Sequence, residues 1–419
     1  MITIPAEQMR GARPEPAALR QAIRQFESGL ARLNRLARYY EGRHDIFSRA
    51  RLPGLPNTRL AHPYPRYIAQ VSAAYLLGEP VRLEGPEPET GELRQLLRQA
   101  GADRADAELA LNQAVFGRAV SLCYVGSDGR PAACSLDPRN AFVVYDDTVA
   151  RRPLFGVYLA GSAGGRAVTV YTASEVLACD GQGNLLRAEA HPFGALPMAE
   201  VLNGADALGD FEQVLALVDA YDLLQADRLN DRQQFSDALL VLTGVMGITD
   251  AGDDGPGALE RLRQEKTLAL PDEHARAEWL VKTPVERDIE VLRAALAQDI
   301  HKFSLTPDFT DISFAGNASG IAIKYKLFNF ENRVKLKERF FVSALRERAR
   351  AFCGYLMSRR LASPDADALH FRLSRSLPVN ELERAQSLAH LKEIVPLDTL
   401  RYNSPLTPGP GGQGDGRGD

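Results

Sequence analysis

The sequence predicts an α+β protein, mostly helical, in which a block of short strands is set between two helical stretches. Three observations carry this. Apolar residues recur at spacings of three and four before residue 118 and again from Asp210 onward. Between 119 and 203 the period drops to two, with turn-forming pairs between the runs. The composition is 45% hydrophobic and 25% charged over 419 residues, which is ordinary for a globular chain and ample for a large core.

Residues 16–40 place Leu19, Ile23, Phe26, Leu30, Leu33 and Leu36 on one face, so an amphipathic helix opens the chain. A Pro-rich connector runs from Pro53 to Pro65, a helix follows over roughly 66–77, and 93–118 reads as one or two helices interrupted near Gly101. The runs AVSLCYV, AACSL, AFVVYD, FGVYLA, AVTVYT and EVLACD then form a mostly antiparallel β subdomain packed on the helices.

From Asp210, the residues Phe211, Val214, Val218, Tyr221 and Leu224 or Gln225 share the stripe of a helix expected to run past Phe235. Residues 244–285 interrupt it with a short helix around 258–265 and the strand-like TLALP and AEWLVKT. Helix 286–304 carries Ile289, Leu292, Leu296, Ile300 and Phe303 on its stripe. Two helices bracketing a small mixed module read as a stalk with a head. The turn-rich LTPDFTDISFAGNASG fills 305–320, and the proline-free 321–360 predicts one helix about 60 Å long at ~1.5 Å per residue. The segment 368–400 holds the strand-like FRLSRSL and a helix around 380–394, and the closing GPGGQGDGRGD has the low complexity of a disordered tail.

Lys and Arg total 50 against 54 Asp and Glu, a formal net charge of -4. That disfavours a protein gripping nucleic acid through a broad basic surface and leaves open one that surrounds it. The four cysteines, at 123, 134, 179 and 353, form no C-x-x-C pair and no zinc spacing; Cys123 and Cys134 could face each other across a hairpin. The N-terminal MITIPAE lacks the features of a signal peptide and no run reaches about 18 apolar residues, so folding in the cytoplasm without a membrane partner is expected.

Several short motifs resemble catalytic signatures without completing them. Tyr145-Asp146-Asp147 has the two carboxylates of a two-metal turn but no third acidic motif. His44-Asp45 lacks further spaced ligands, and Asp299 and His301 sit two apart on a helix, on different sides. Gly161 to Gly165 lacks the Lys-Ser/Thr of a phosphate loop and reads as a hairpin turn, so the chain is not itself an ATPase of that type. No catalytic residue, metal or cofactor is expected.

Other stretches carry a resemblance by their order and spacing. They are Tyr40-Glu41-Gly42-Arg43-His44-Asp45-Ile46, Tyr64-Pro65-Arg66-Tyr67-Ile68, Tyr75-Leu76-Leu77-Gly78, Gly209-Asp210-Phe211-Glu212 and Leu217-Val218-Asp219-Ala220-Tyr221-Asp222. Asn230-Asp231 with Gln234-Phe235, Asp299 to Ser304 running into Pro307-Asp308, and Phe314-Ala315-Gly316-Asn317 before Ser319-Gly320 complete the set. Over roughly residues 39–400 the sequence resembles the siphophage-type portal proteins of tailed bacteriophages.

The resemblance implies a ring, usually of twelve copies, through which double-stranded DNA enters and leaves a capsid, with no catalytic site. It maps a wing onto 1–205 plus the long helix 321–360, and stem helices onto 206–243 and 286–304. A clip falls on 244–285, a tunnel loop on 305–320, a short crown on 361–400 and a disordered tail on 401–419. The tunnel lining would be Pro307, Asp308, Phe309, Thr310, Asp311, Ser313, Phe314 and Asn317. In the clip, Leu268, Leu270, Trp279 and Leu280 are either core or a docking surface for the terminase large subunit and then a head-completion adaptor. A scaffold or major capsid protein is the remaining implied partner, and the location is the virion, after assembly in the host cytoplasm. The chain departs from the family in its Asn57 to Pro63 approach and in its short crown.

Charge fits that map. Between Lys302 and Lys324 there is no Lys or Arg, only Asp308 and Asp311, so the loop offers phosphate nothing to grasp. Gly316 and Gly320 let it bend. The stretch 321–360 has eleven basic residues against Glu331, Glu338 and Glu347, which suits ion pairs to neighbouring subunits or, less simply, contact with DNA. Asp210, Glu212, Asp219, Asp222, Asp227, Asp231 and Asp237 make the first stem helix an expected acidic wall that repels phosphate. Two other classes compete: a non-portal structural ring, and a metal-dependent nucleic-acid enzyme, for which no carboxylate set assembles.

Overall fold

The computed structural model describes residues 1–50, 56–162, 165–235, 239–243, 276–280, 286–310 and 320–375, in two compact units. Helix takes 49% of the structure, and the α+β, mostly helical class read from the sequence stands.

The first unit comprises Met1–Tyr40, Pro65–Gln213 and the chain from Ser304. Its period-two runs form two sheets. The larger has six strands in the order Ile2–Ile4, Ala141–Asp146, Pro153–Ser162, Gly165–Tyr171, Glu175–Cys179 and Leu185–Ala190. From the second strand on, each neighbour follows directly in sequence as an antiparallel partner, which short turns can connect. The first strand pairs in parallel, Ile2 opposite Val144, and three residues are too few to show a period. The smaller sheet sets Arg118–Val125 between Met198–Leu202 and Pro131–Leu136. Val120, Leu122, Ala141, Val143 and Met198 form a core shared by both sheets. Cys123 and Cys134 do not face each other: Cys134 stands opposite Leu122 and Cys123 opposite Ala133, so the two thiols lie on opposite faces. All four cysteines are free.

The helix expected over 16–40 is two, Pro16–Ser28 and Leu30–Tyr40, parted at Gly29, a residue costing about 1 kcal/mol in a helix interior. Phe26 stacks on Phe142 of the large sheet with ring centroids 4.4 Å apart. The 93–118 stretch resolves into Glu89–Gln99 and Ala102–Phe116. The second of these ends at Gly117, at φ 75°, where a Cβ would lie 2.0 Å from the Ala207 carbonyl oxygen. Backbone conformation and close approach both demand glycine there.

The single 60 Å helix expected over 321–360 is instead Gly320–Lys326 followed by Phe328–Ser358, the latter 31 residues and about 46 Å long. Leu327, at φ -87° and ψ -3°, stays in the right-handed region but with a ψ near zero that parts the two helices, and it buries its side chain with Phe330 and Val334. Bonds from Leu327 N to Ile323 O at 3.0 Å and from Glu331 N to Leu327 O at 2.8 Å carry the ladder across the step. The long helix is the spine of the unit. Phe330, Val334, Phe341 and Leu345 pack with Tyr75, Leu76 and Leu109, and further along Phe352 and Leu356 pack with Leu93, Phe193 and Leu369. A Cβ on Gly354 would lie 1.7 Å from the Phe193 carbonyl, so helix and loop touch through bare backbone. Beyond the helix, His370–Arg372 pairs with Arg82–Glu84. The helix expected around 380–394 and the tail lie outside the described residues.

The second unit is Glu41–Tyr64 with Val214–Phe303. Helices Leu215–Phe235 and Glu286–Phe303 pack on each other. Arg228 to Glu290 at 3.2 Å and Arg293 to the Tyr221 hydroxyl at 3.3 Å set an antiparallel register. The first helix does not extend to 243, because Leu239–Thr243 is a strand, paired antiparallel with Arg276–Leu280 so that Leu240 faces Trp279 in the ladder. The apolar LLVLT run suits a strand that has a partner. The expected stripe of the second helix is also amended: Ile300 is buried, but Leu292 and Phe303 are exposed. TLALP and the helix expected around 258–265 lie outside the described residues.

Candidate functional site

Of the proposed channel lining, Pro307, Asp308, Phe309 and Thr310 are described; Asp311, Ser313, Phe314 and Asn317 lie outside the described residues. Leu305 opens the segment in the left-handed region at φ 54°, which costs a non-glycine residue about 1–2 kcal/mol. The flanking anchors hold it there. Ser304 and Thr306 are buried, and the Arg333 guanidinium donates to the Ser304 carbonyl. The Tyr67 hydroxyl donates to the Pro307 carbonyl at 3.1 Å and accepts from the Phe309 amide at 3.0 Å. Asp308 accepts from the Thr310 amide at 2.9 Å and its hydroxyl at 2.6 Å, closing a turn. Phe309 stays partly exposed, edge-on to Phe330 at 6.5 Å.

The root of this segment is a buried charge cluster. Asp210 accepts from Lys337 Nζ at 2.6 Å, from Asn203 Nδ2 at 2.7 Å and from Arg333. Lys337 is itself 1% exposed and donates to the Ser72 hydroxyl at 2.9 Å. Burial pushes the Asp210 carboxyl up, but the Lys337 and Arg333 charges outweigh burial and hold it at about 2. Arg333 therefore ties the Ser304 carbonyl, just before the segment, to the cluster. The rest of the Gly209-Asp210-Phe211-Glu212 motif is structural as well: Phe211 is fully buried, and Glu212 accepts from Arg32 Nε at 2.6 Å and from the Gly209 amide at 2.9 Å.

The second unit has its own buried carboxylate. Asp222 accepts from His44 Nδ1 at 2.6 Å, from the His62 amide at 2.8 Å and from His62 Nδ1 at 2.8 Å. Burial raises this carboxyl, and the bonds from the two histidines more than reverse it, leaving it below its ordinary value. The Tyr40 to Ile46 motif thus supplies a histidine that ties the connector to a helix. His301 lies edge-on to Tyr64 at 5.7 Å. Among the described residues no group of three His, Cys, Asp or Glu side chains could hold a metal ion.

Two charge expectations are corrected. The acidic wall expected from 210 onward is internal in part: Asp210 and Asp222 are buried with partners and Glu212 pairs with Arg32, whereas Asp227, which accepts from Arg49 at 2.6 Å, is about half exposed. Asp237 lies outside the described residues. The basic surplus of the long helix is also partly internal. Lys337 and Arg333 meet Asp210, Arg348 holds Asp106 bidentately at 2.6 and 3.0 Å, and Arg350 reaches Asp367 at 2.6 Å.

Leu268 and Leu270 lie outside the described residues, while Trp279 and Leu280 fall on the Arg276–Leu280 strand. Asp146 of Tyr145-Asp146-Asp147 accepts from the amides of Thr148 and Arg152 and the Thr148 hydroxyl, so it closes a turn. Gly161 and Gly165 belong to paired strands, with Ser162 opposite Gly165. Sequence reasoning missed the Asp210 cluster. A signal existed: Lys337 and Arg348 interrupt the stripe Phe330, Val334, Phe341, Leu345, and a cation on a core stripe needs a buried acid.

A chain of the structure titled "Virion of native gene transfer agent (GTA) particle" superposes with a TM-score of 0.50 at 16% identity, over 87% of this chain and 89% of that one. The fold is therefore of the kind found in that particle. Two structures titled "Neck of native GTA particle computed with C12 symmetry" and "Neck of empty GTA particle computed with C6 symmetry" match at 14% and 17% identity, with TM-scores of 0.48 and 0.49. They cover 87% and 80% of this chain, and 91% and 87% of those chains. No curated protein matches. The family described as "Phage portal protein, SPP1 Gp6-like" matches residues 19–410, and the chain belongs to that family.

Proposed function

We propose that the chain is one subunit of a homo-oligomeric ring, of about twelve copies, that lines the channel for double-stranded DNA at a capsid vertex and has no catalytic role. In this reading residues 1–205 with the long helix form the wing, Leu215–Phe235 and Glu286–Phe303 the stem, and the strands Leu239–Thr243 and Arg276–Leu280 the base of the clip. Residues 305–320 form the tunnel loop, and the chain beyond 361 the crown. The terminase large subunit and later a head-completion adaptor dock on the clip, with Leu268, Leu270, Trp279 and Leu280 as candidates. A scaffold or major capsid protein is a further partner, and the assembled ring resides in the virion.

The observation that carries the reading is the loop's combination of a braced root and a cation-free body. Its start is tied to Tyr67 and, through Arg333, to Asp210, while no Lys or Arg occurs between Lys302 and Lys324. Basic contacts to phosphate dominate DNA affinity, so such a loop can border a moving duplex without holding it. Electron microscopy of the purified protein should show rings with a central hole of roughly 20 Å or more, the size a duplex needs. In a packaging assay, Asp308→Lys with Asp311→Lys should slow DNA entry, and an unchanged rate would count against the sliding surface.

A further inference from the structure

One cavity of the first unit is built like a slot for an extended chain. It holds about 500 Å³ between the strand Arg82–Glu84 and the helices Glu89–Gln99 and Ala102–Phe116. Pro80 to Gly85 line it without a gap. Six consecutive residues meet a cavity only along a strand's edge, because a strand's face presents alternate residues. Arg82–Glu84 pairs on its other side with His370–Arg372, and among the described residues no second strand lies along this edge. An open edge is a template for a further strand, and proteins usually cover one. The apolar lining comes from Val81, Leu83, Leu97, Ala102 and Phe371. Of the cations there, Arg82 pairs with Glu79, Arg94 with Glu87 and the buried Arg348 with Asp106, whereas Arg98 makes no ion pair among the described residues.

We infer that residues 397–402 of the same chain, Leu-Asp-Thr-Leu-Arg-Tyr, fill this slot as a third strand beside Arg82–Glu84. Three observations single out that occupant. The chain leaves the described residues beside the slot: the Ser374 carbonyl accepts from the Gly78 amide at 3.1 Å, and a smaller hollow lined by Leu77 to Val81, Asp103 and Asp106 continues the slot toward Gly78. Twenty-one residues separate Arg375 from Leu397, enough to hold the helix expected around 380–394 and return. Pro396 and Pro405 bound a proline-free run in which Asp398, Leu400 and Tyr402 share one face of an extended chain. With that face toward the helices, Leu400 enters the apolar cavity and Asp398 comes to Arg98. The docking needs no second copy, so it stands or falls apart from the ring reading.

The test is the full-length double variant Arg98→Cys/Asp398→Cys under mild oxidation, with linked peptides mapped after a non-reducing digest. Arg98 is exposed, so its replacement leaves the core alone, and the native cysteines are buried or half-buried. A disulfide between positions 98 and 398 of one chain is expected, with none in either single variant. No such link would overturn the inference, and so would one formed only between chains, which would give the slot to a neighbouring copy's segment. Leu400→Asp supplies a second measurement, since it alters the occupant and leaves the walls of the slot intact. Global melting should change little, while hydrogen exchange should quicken at least tenfold at whichever backbone amide of Arg82, Leu83 and Glu84 points along the open edge. Equal exchange in parent and variant would overturn the inference, and slow exchange that appears only on adding a second protein would hand the slot to that protein.

Discussion

Replacing Asp210 by Asn removes one charge from a buried cluster while keeping the side chain's shape. In the parent, the carboxylate faces Lys337 at 2.6 Å and also pairs with Arg333. Its acidity, about 2 in place of 3.8, corresponds to about 2 kcal/mol of stabilisation. Deletion should cost more than that, because Lys337 and Arg333 are left without a counter-charge, and breaking a buried pair costs about 3–5 kcal/mol. At about 2–4 °C per kcal/mol, the melting midpoint of Asp210→Asn should fall by roughly 10 °C. Adding Lys337→Met should recover part of the loss, since one of the stranded cations is then gone. The pH dependence follows from the sign. The folded carboxyl lies below its unfolded value, so its contribution is complete above about pH 4 and is lost as pH falls toward 2. The parent's melting midpoint should therefore drop on acidification through that window, and the variant's should drop less. Calorimetry showing Asp210→Asn within about 1 kcal/mol of the parent, or a double variant no better than additive, would refute the argument.

Three further outcomes are expected. Tyr67→Phe removes two hydrogen bonds from the start of the 305–320 segment, so exchange of the Phe309 amide proton should quicken about tenfold while global stability falls by no more than about 2 kcal/mol. Asp222→Ala leaves His44 and His62 without their shared acceptor, and the connector 41–64 should be cut faster by a protease at fixed temperature. Gly354→Ala puts a methyl group 1.7 Å from the Phe193 carbonyl, and soluble expression should collapse, since backbone on both sides cannot give way cheaply.

The periodic parts of the fold were readable because burial on one face leaves a period. The strands between Arg118 and Leu202 and the helices of both units were legible for that reason. Breaks inside helices were less legible. Gly29 gave a local warning, whereas Leu327 is a good helix former whose step depends on burial with Phe330 and Val334, a tertiary cause. The strand Ile2–Ile4 is three residues long and exists only because Ala141–Asp146 offers an edge. In the candidate site the missing cations of 305–320 were visible from composition. The brace at the segment's root was not, because it joins Tyr67, Asp210, Ser304 and Arg333, residues from four separate stretches of sequence.

Charge counted along a sequence therefore needs to be read with its partners in space. The long helix looks strongly basic in one dimension, yet Arg333, Lys337, Arg348 and Arg350 each meet a carboxylate of the same chain. The first helix of the second unit looks acidic, yet Asp222 and Asp227 are held by His44, His62 and Arg49. Both apparent fields shrink once these pairs close, although Lys324, Lys326, Arg339, Arg359 and Arg360 of the 321–360 stretch stay exposed. What survives pairing is the 305–320 segment, because an absence of cations cannot be cancelled by a partner. A weakly interacting channel wall is thus better supported by that segment than by any acidic surface. It would need little charge of its own, only a root stiff enough to keep its position while a duplex slides by.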